Sequence, residues 1–276
     1  SLNFIHINLL CKLLLNIKFM KNIGFIGVGY MGYGIAKNIL KHKNKLYVIA
    51  NKNRKPIDKI INDGAVEINS FEEFSNKNLD ALFMCVTNTP IAKSISEKIS
   101  KILDNKTIII DITTHNKTGS IETEEIFRSN NINYIECPVM GGPVQAEEGI
   151  LGGIVGASEN NFKLAEPYLK MFCKEYFYFG TVGMGAKSKL LNNFLSLGNA
   201  ALVNHLAKTG KELGLDLKKV FDVAKLGSGN STALNRIFDN LLKGDFTGFK
   251  FTATNSVKDL SYIQDLLKDF PEAEKV

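Results

Sequence analysis

"NIGFIGVGYMGYGIAKN", residues 22–38, decides the fold, because a short apolar strand pattern runs directly into closely spaced glycines and then into a helix pattern. The glycines follow the spacing Gly27-x-Gly29-x-x-Gly32. In such a turn the first glycine permits a tight bend, the second lets the backbone approach a pyrophosphate, and the third lets the helix pack on the strand. The start of the helix then offers unpaired N–H groups to the anion. The stretch therefore predicts a dinucleotide site, and its expected contacts are Gly27, Gly29, Tyr30, Met31 and Gly32.

Short β-branched runs alternate with helix patterns along the first two thirds of the chain. They predict strands at 22–28, 45–51, 81–87, 107–113, 133–139 and 149–157. The segments between the first five are long enough for crossover helices, so we expect a mainly parallel sheet with helices on both faces. The strand pattern then stops, and 186–214 predicts one long helix that ends at Gly214. The predicted fold class is α/β: a Rossmann-type doubly wound sheet in a cofactor-binding domain over 20–182, followed by an all-α domain over 183–276.

The composition is that of an ordinary globular protein. Hydrophobic residues make up 45% and charged residues 22% of the 276 positions, which argues against a disordered chain. The net charge of +6 comes without a Lys or Arg run interleaved with aromatic residues, so we expect no nucleic-acid partner. The cysteines are scattered, with no CxxC and no nearby His, which predicts reduced thiols in a cytoplasmic protein and no metal site.

The first 19 residues are apolar but do not match a targeting segment. They lack a cationic cluster at the start and a small-residue cleavage site at the end. The apolar run is also too short and too interrupted to span a bilayer, so no membrane partner is expected. We expect 1–19 to be an extension outside the fold, with Met20 as the natural start.

Four polar residues share one stripe of the predicted long helix, namely Lys189, Asn192, Asn193 and Ser196. Lys187 falls on another side. A stripe of this kind faces either bulk water or a polar cleft, and most face water. Solvent faces, however, are usually rich in Glu, Lys and Arg, whereas this one has a single charge among amides and a hydroxyl.

The end of the second predicted strand bears on the type of dinucleotide. Asn51 stands where a site selective for NAD usually has Asp or Glu for the ribose hydroxyls. The residues that follow include Lys52, Arg54 and Lys55. A cationic loop without a carboxylate suits a 2′-phosphate, which favours NADP over NAD; an ordinary solvated basic loop is the other interpretation.

Several motifs occur in an order that resembles the β-hydroxyacid dehydrogenase family. This family includes 3-hydroxyisobutyrate dehydrogenase, tartronate semialdehyde reductase and glyoxylate/succinic semialdehyde reductase. The motifs are "GFIGVGYMG" at 24–32, "DITT" at 111–114, "ECPVMGG" at 136–142, "GMGAKSKLLNN" at 183–193 and "KDL" at 258–260.

The resemblance implies roles for individual residues. Lys189 matches the catalytic lysine, and Asn193, one turn later, matches a substrate-orienting asparagine. The implied substrate contacts also include Thr114, Gly141 and Gly142, and the implied cofactor contacts include Thr113 and Lys258.

The implied activity is that of an NAD(P)-dependent oxidoreductase. It would interconvert a small 3-hydroxy or 2-hydroxy carboxylic acid and its semialdehyde or oxo form by hydride transfer, with Lys189 as general acid/base. Burial in an apolar helix should lower the pKa of this lysine. The apolar surface of the long helix predicts a homodimer or homotetramer.

The sequence departs from the family pattern at specific places. Met140 stands where the family usually has Ser, Lys117 stands about where a Pro is common, and His115 is expected to be a loop residue. The chain also stops soon after "KDL", so we expect a shortened helical domain. Two alternatives stay open: a noncatalytic dinucleotide-binding or interaction protein of this fold, and an imine reductase, which would typically replace the catalytic lysine.

Overall fold

The computed structural model of the protein describes residues 20–51, 53–245, 252–270 and 272. The extension expected over 1–19 and the predicted cofactor contact Lys52 therefore lie outside the described residues.

Within those residues, six parallel strands form one sheet. The strands are β1 Asn22–Ile26, β2 Lys45–Ile49, β3 Val66–Ile68, β4 Ala81–Met84, β5 Ile108–Asp111 and β6 Asn133–Glu136. Their order in the sheet is β3-β2-β1-β4-β5-β6. This order reverses between β1 and β4, which is the point where parallel α/β sheets bind ligands beyond the carboxyl ends of their strands.

Crossover helices connect these strands and cover the sheet, as parallel pairing requires. They are α1 Tyr30–Lys41, α2 Arg54–Asn62, α3 Thr89–Ile99 and α4 Gly119–Arg128, with a 3-10 helix at Phe71–Asn76. Two further helices follow the sheet, α5 Pro143–Glu148 and α6 Glu159–Leu169. The predicted α/β fold class is confirmed.

Both faces of the sheet are packed with apolar side chains. On one face the rings of Phe25 and Phe83 stack at 5.7 Å between centroids, and Phe172 meets Phe83 edge-on at 5.8 Å. On the other face Phe127 stacks on Tyr134 at 5.8 Å. Because all these rings are almost completely buried, they fix the strands and the loops that leave them.

A second, smaller sheet lies beside the first in the order β7-β8-β9. Its strands are β7 Val139–Met140, β8 Leu151–Val155 and β9 Cys173–Tyr178. The predicted strand 133–139 is in fact divided into β6 and β7, with Pro138, which has no N–H to donate, in the break. β3 and β9 were not predicted, because β3 is only three residues long and β9 has charged side chains at Lys174 and Glu175.

The remaining described helices form the helical half of the molecule. They are α7 Met184–Glu212, α8 Leu217–Leu226, α9 Thr232–Leu241 and α10 Ala253–Leu267. Phe221 of α8 stacks on Phe238 of α9 at 4.9 Å, against buried residues of α7. Leu190 of α7 packs with Ile263 of α10, so α7 is the central helix of this half.

The predicted long helix is confirmed as α7. It ends next to Gly214, whose φ of +71° is the left-handed conformation typical of a residue just after a helix. In the described chain α7 is not covered all round, because Leu191, Leu195 and Leu202 are more than half exposed.

Candidate active site

The glycine turn after β1 is shaped for a close approach by a ligand. Gly27 has φ +97°, and a Cβ there would lie 2.2 Å from the carbonyl oxygen of Cys85. A Cβ at Gly32 would lie 2.2 Å from the carbonyl oxygen of Gly27, so α1 and the turn are in contact. At Gly29, by contrast, an added Cβ would have no described heavy atom within 4 Å. The protein therefore needs glycine at the first and third positions for its own packing, whereas the second faces open space.

The start of α1 adds favourable electrostatics to this turn. Gly29 is the N-cap residue, and no side chain caps the helix there. The first turn of α1, which the structure describes completely, carries no acidic residue. Tyr30 is 83% exposed and Met31 half-buried beside the turn. Exposed N–H groups at a helix start, with a glycine surface beside them, fit a pyrophosphate.

Arg54, one of the basic residues after β2, is paired with carboxylates in the structure. The Arg54 guanidinium donates to Glu67 at 2.5 Å and to Asp58 at 2.8 Å. Asn51 is exposed at the end of the strand, and Lys52 lies outside the described residues. Two carboxylates thus compete with any phosphate for Arg54, which sequence reasoning missed.

The loop after β5 is held in place by a buried polar network. Asp111 accepts from the Thr113 N–H at 2.9 Å, from His115 Nε2 at 2.8 Å and from the Tyr134 hydroxyl at 3.0 Å. Thr113 is buried, and its hydroxyl accepts from the Val86 N–H at 3.3 Å. The next residue, Thr114, is half-buried. His115 is a loop residue, as expected, but it is completely buried rather than free.

Lys189 projects from the second turn of α7 toward β7. Its Nζ donates to the Val139 carbonyl oxygen at 2.8 Å and lies 3.4 Å from Met140 Sδ. Asn192 Nδ2 lies 3.5 Å from the same sulfur. Lys189 and Asn192 of the polar stripe therefore face β7 rather than bulk water, and Lys187, which is exposed, points elsewhere.

Burial controls the protonation of this lysine. Desolvation lowers the pKa of Lys189 from 10.5 to about 8, the nearby Asp259 carboxylate opposes that shift, and the Lys258 ammonium adds to it. A lysine with this pKa exchanges a proton near neutral pH, which is what a general acid/base needs.

Asn193 is held by a residue that sequence reasoning did not select. Its Nδ2 donates to Asp259 Oδ2 at 2.6 Å, and both side chains are buried. Lys258 Nζ lies 3.0 Å from Asp259 Oδ1 and donates to the Thr87 carbonyl oxygen at 3.0 Å. Asp259 is the middle residue of "KDL", so the motif contained the signal, although only its lysine was assigned a role.

The start of α7 is fixed by a buried carboxylate from the sheet. Glu136 Oε1 accepts from the N–H groups of Gly183 at 2.6 Å and Gly185 at 2.8 Å, and Oε2 accepts from Ala186 at 3.2 Å. Burial raises the pKa of Glu136, and these N–H groups oppose the rise. The carboxylate satisfies the unpaired N–H groups of the helix start and so sets where Lys189 projects.

The glycine pair after β7 precedes the short helix α5. Gly141 is exposed with φ +114°, and the Gly142 N–H donates to Gln145 Oε1 at 2.9 Å. Helix α5 is joined to α1 by Asn38 Nδ2, which donates to the Ala146 carbonyl oxygen at 2.7 Å. This contact ties the glycine pair to the helix that follows the dinucleotide turn.

The segment after β4 brings the parts of the site together. The Cys85 carbonyl lies against Gly27, the Val86 N–H binds Thr113, and the Thr87 carbonyl binds Lys258. Three of the predicted cofactor residues thus meet at one strand end. On α7, Asn193 donates to Asp259, and the charges of Asp259 and Lys258 act on the pKa of Lys189.

In the part of the chain that the structure describes, no His, Cys, Asp or Glu residues form a group of three or more that could hold a metal ion. The same residues contain no helix with the length and apolarity needed to cross a membrane.

Family models match both halves of the chain. Residues 22–180 match the NAD-binding domain of 6-phosphogluconate dehydrogenase, and residues 183–272 match the NAD-binding family of NADP-dependent 3-hydroxyisobutyrate dehydrogenase. The chain belongs to the β-hydroxyacid dehydrogenase family. It is accordingly an NAD(P)-dependent oxidoreductase with a nicotinamide dinucleotide as cofactor.

Individual β-hydroxyacid dehydrogenases match most of the chain. It is 27% identical to 2-(hydroxymethyl)glutarate dehydrogenase of Eubacterium barkeri, over 82% of this chain and 76% of that protein. It is 29% identical to mitochondrial 3-hydroxyisobutyrate dehydrogenase of Bos taurus, over 88% of this chain and 74% of that protein.

Solved structures of this fold superpose closely. Psf3 in complex with NADP+ and 2-OPP gives a TM-score of 0.79 at 27% identity, covering 88% of this chain and 86% of that one. An imine reductase of Myxococcus stipitatus gives 0.68 at 16% identity, covering 82% and 77%, which shows the shared fold alone.

Proposed function

We propose that this dehydrogenase interconverts a small 3-hydroxy or 2-hydroxy carboxylic acid and its semialdehyde or oxo form, with Lys189 as general acid/base. The position of Lys189 carries the proposal: its Nζ is held at the Val139 carbonyl, three residues before Gly142, with a pKa lowered to about 8 by burial. The relatives named as dehydrogenases of hydroxy acids support the substrate class.

The chemistry divides between cofactor and protein. A bound nicotinamide dinucleotide supplies or accepts the hydride. In the direction of reduction, the Lys189 ammonium donates its proton to the substrate oxygen as negative charge develops there. In the direction of oxidation, the neutral amine accepts the hydroxyl proton.

The substrate is oriented by groups whose positions are already fixed. The amide of Asn193 is held by Asp259, so it loses little freedom when it binds a substrate oxygen. We assign the carboxylate to Thr114 and to the backbone of Gly141 and Gly142. The Gly142 N–H has to exchange its bond to Gln145 for one to the carboxylate.

Met140 bears on the size and polarity of the substrate. Its sulfur lies 3.4 Å from Lys189 Nζ and 3.5 Å from Asn192 Nδ2. A thioether is a weak acceptor and offers no hydroxyl donor. We therefore assign a substrate whose reacting end is small and bears no group that needs a donor from position 140.

We assign the cofactor to the glycine turn, Thr113 and Lys258, with NADP favoured over NAD. The cationic residues Lys52 and Arg54 beside Asn51 support NADP, and so does the NADP+ complex of Psf3. The pairing of Arg54 with Asp58 and Glu67 weakens that argument, because a phosphate has to displace one carboxylate.

We also propose a homodimer or homotetramer in the cytoplasm. Leu195 and Leu202 on α7 and Leu226 at the end of α8 are 64%, 70% and 90% exposed. A second copy would remove this apolar surface from water. A single monomeric species in sedimentation at micromolar concentration would contradict the assembly.

The division into a cofactor domain over 20–182 and a helical domain over 183–276 is likewise our proposal.

A screen of small aldehyde acids and hydroxy acids tests the activity. The purified protein is mixed with each compound and with NADPH, NADH or their oxidised forms, and nicotinamide absorbance is followed. We expect turnover with at least one short semialdehyde or oxo acid. Binding of the dinucleotide without turnover on any compound would favour the noncatalytic alternative, and turnover only with cyclic imines would favour an imine reductase.

A further inference from the structure

The loop between β5 and α4, residues 112–118, contains two residues that the proposed chemistry does not use. His115 directly follows the pair Thr113 and Thr114, and Lys117 stands two positions later. Both make contacts that leave the loop in opposite directions, one into the sheet and one toward the helical half.

His115 is the buried end of this arrangement. Its side chain is completely buried, with Nε2 at 2.8 Å from Asp111 Oδ2 and Nδ1 at 3.2 Å from the Thr89 hydroxyl. The network assigns Nε2 as the donor to the carboxylate and Nδ1 as the acceptor of the hydroxyl hydrogen. Because Asp111 also accepts from the Thr113 N–H, the imidazole and the backbone of Thr113 are fixed by the same carboxylate.

Thr89 extends the network to the loop backbone and to α10. Its hydroxyl accepts from the Asn116 N–H at 3.1 Å, and its own N–H lies 3.4 Å from the Tyr262 hydroxyl. Tyr262 is one turn after Lys258 on α10. The loop and the helix with the predicted cofactor lysine are therefore joined through one threonine.

Lys117 is the partly exposed end of this arrangement. Its Nζ donates to the Asp265 carbonyl oxygen at 3.1 Å and to Asp269 Oδ2 at 3.1 Å. The Lys117 side chain is 25% exposed, so this contact is partly shielded from water. It joins the loop to the last turn of α10 and to the residues just after it.

We propose that His115 and Lys117 are positioning residues that fix loop 112–118 between the sheet and α10. They hold Thr113 and Thr114 at the reacting end of the cofactor and couple that position to Lys258 and Asp259. This inference rests on the proposed function. His115 does not take part in proton transfer, because both of its ring nitrogens are bound inside the protein.

The first test measures the loop itself, without substrate. Amide hydrogen exchange of peptides that cover 112–118 is compared in wild type and in His115→Ala, His115→Gln and Lys117→Met. We expect about tenfold faster exchange in His115→Ala, a smaller increase in Lys117→Met, and recovery toward wild type in His115→Gln, whose amide can still donate to Asp111. Wild-type exchange in both His115→Ala and Lys117→Met overturns the proposal.

The second test separates positioning from binding. We expect kcat of His115→Ala to fall about 10- to 100-fold, since small misplacements of reacting groups have effects of that size. The Kd for NADPH should change much less, by about threefold or less, because the contacts assigned to the glycine turn on another strand are kept and only that of Thr113 is disturbed. The intrinsic fluorescence of NADPH measures this Kd, because the chain has no tryptophan whose emission could be used instead. A fall in kcat without rescue by His115→Gln contradicts a positioning role.

Controls keep the outcomes distinct. His42→Ala, at the far end of α1, should leave exchange of the loop, kcat and Kd unchanged. If His115→Ala fails to fold, His115→Gln and Lys117→Met still decide the proposal, because Lys117→Met must loosen the loop and lower kcat about two- to fivefold. Absence of turnover on every compound would remove the proposed function, whereas the exchange result by itself decides whether the loop is fixed.

Discussion

The two sides of the candidate active site are built in opposite ways. The dinucleotide turn uses consecutive residues 27–32 and mostly backbone atoms. The substrate side joins Lys189 to Val139 across 50 positions and Asn193 to Asp259 across 66. The turn therefore depends on local backbone conformation, whereas the substrate side depends on the packing of α7 against β7 and α10. Substitutions in the first should act on cofactor binding, and substitutions in the second on catalysis.

The largest effect should come from removing the proposed acid/base, Lys189, on the substrate side. Lys189→Ala should lower kcat about 100- to 10,000-fold, the usual contribution of a positioned acid/base, and leave the Kd for the dinucleotide nearly unchanged. Lys187→Ala is the matched control, because Lys187 is exposed two positions away on the same helix. Equal losses in the two variants, or near-normal turnover of Lys189→Ala, would show that the assignment is wrong.

Cofactor binding by the glycine turn can be tested separately with a substitution at Gly29. Gly29→Ala should raise the Kd for the dinucleotide about 10- to 100-fold, since its methyl group would occupy the space in which the pyrophosphate meets the protein backbone. Folding should be preserved, because the site has room for a Cβ and φ is −100°. Gly227→Ala is the control, with a similar φ of −116° and open space. Cofactor titration and thermal unfolding measure the two effects; an unchanged Kd in Gly29→Ala contradicts the assignment of the turn.

Substitutions at Arg54 test whether its contact with a distant strand limits the choice between NADPH and NADH. Replacing both Lys52 and Arg54 by Ala should reduce the preference for NADPH over NADH by about tenfold or more, as charge-assisted hydrogen bonds to a phosphate are lost. Glu67→Gln should act in the opposite direction by a few-fold, since it releases the guanidinium. The ratio of the two Kd values measures both variants. A wild-type preference for NADH would show that the basic loop is only solvated.

The smallest effect should be a shift of a pH profile. Because burial lowers the pKa of Lys189 to about 8, the rate of reduction should fall as pH rises through about 8, and the rate of oxidation should rise there. Asp259→Asn keeps an acceptor for Asn193 but removes a charge that favours the ammonium, so both inflections should move to lower pH. Profiles of kcat measure the shift, with Asp239→Asn on α9 as the control. An unmoved inflection in Asp259→Asn is evidence against the electrostatic coupling.

What the sequence predicts differs between the two sides for physical reasons. The glycine turn follows from local steric rules, so it was predicted at the level of single residues. The pairing of Arg54 with Glu67 was missed because Glu67 lies on β3, a three-residue edge strand with too few positions to give a pattern. The contact of Asn193 with Asp259 depends on how α7 and α10 pack, which no spacing along the chain specifies.

The buried carboxylate of Glu136 has a consequence for the order in which the protein folds. Starting a helix is the unfavourable step of helix formation, because several residues must be fixed before the first hydrogen bonds compensate. For α7, the partner of the first N–H groups is supplied by the end of β6, 47 positions earlier than Gly183. The first turn of α7 therefore gains its full stability only after β6 has joined the sheet. We expect Lys189 to reach its place late in folding, after the glycine turn has formed.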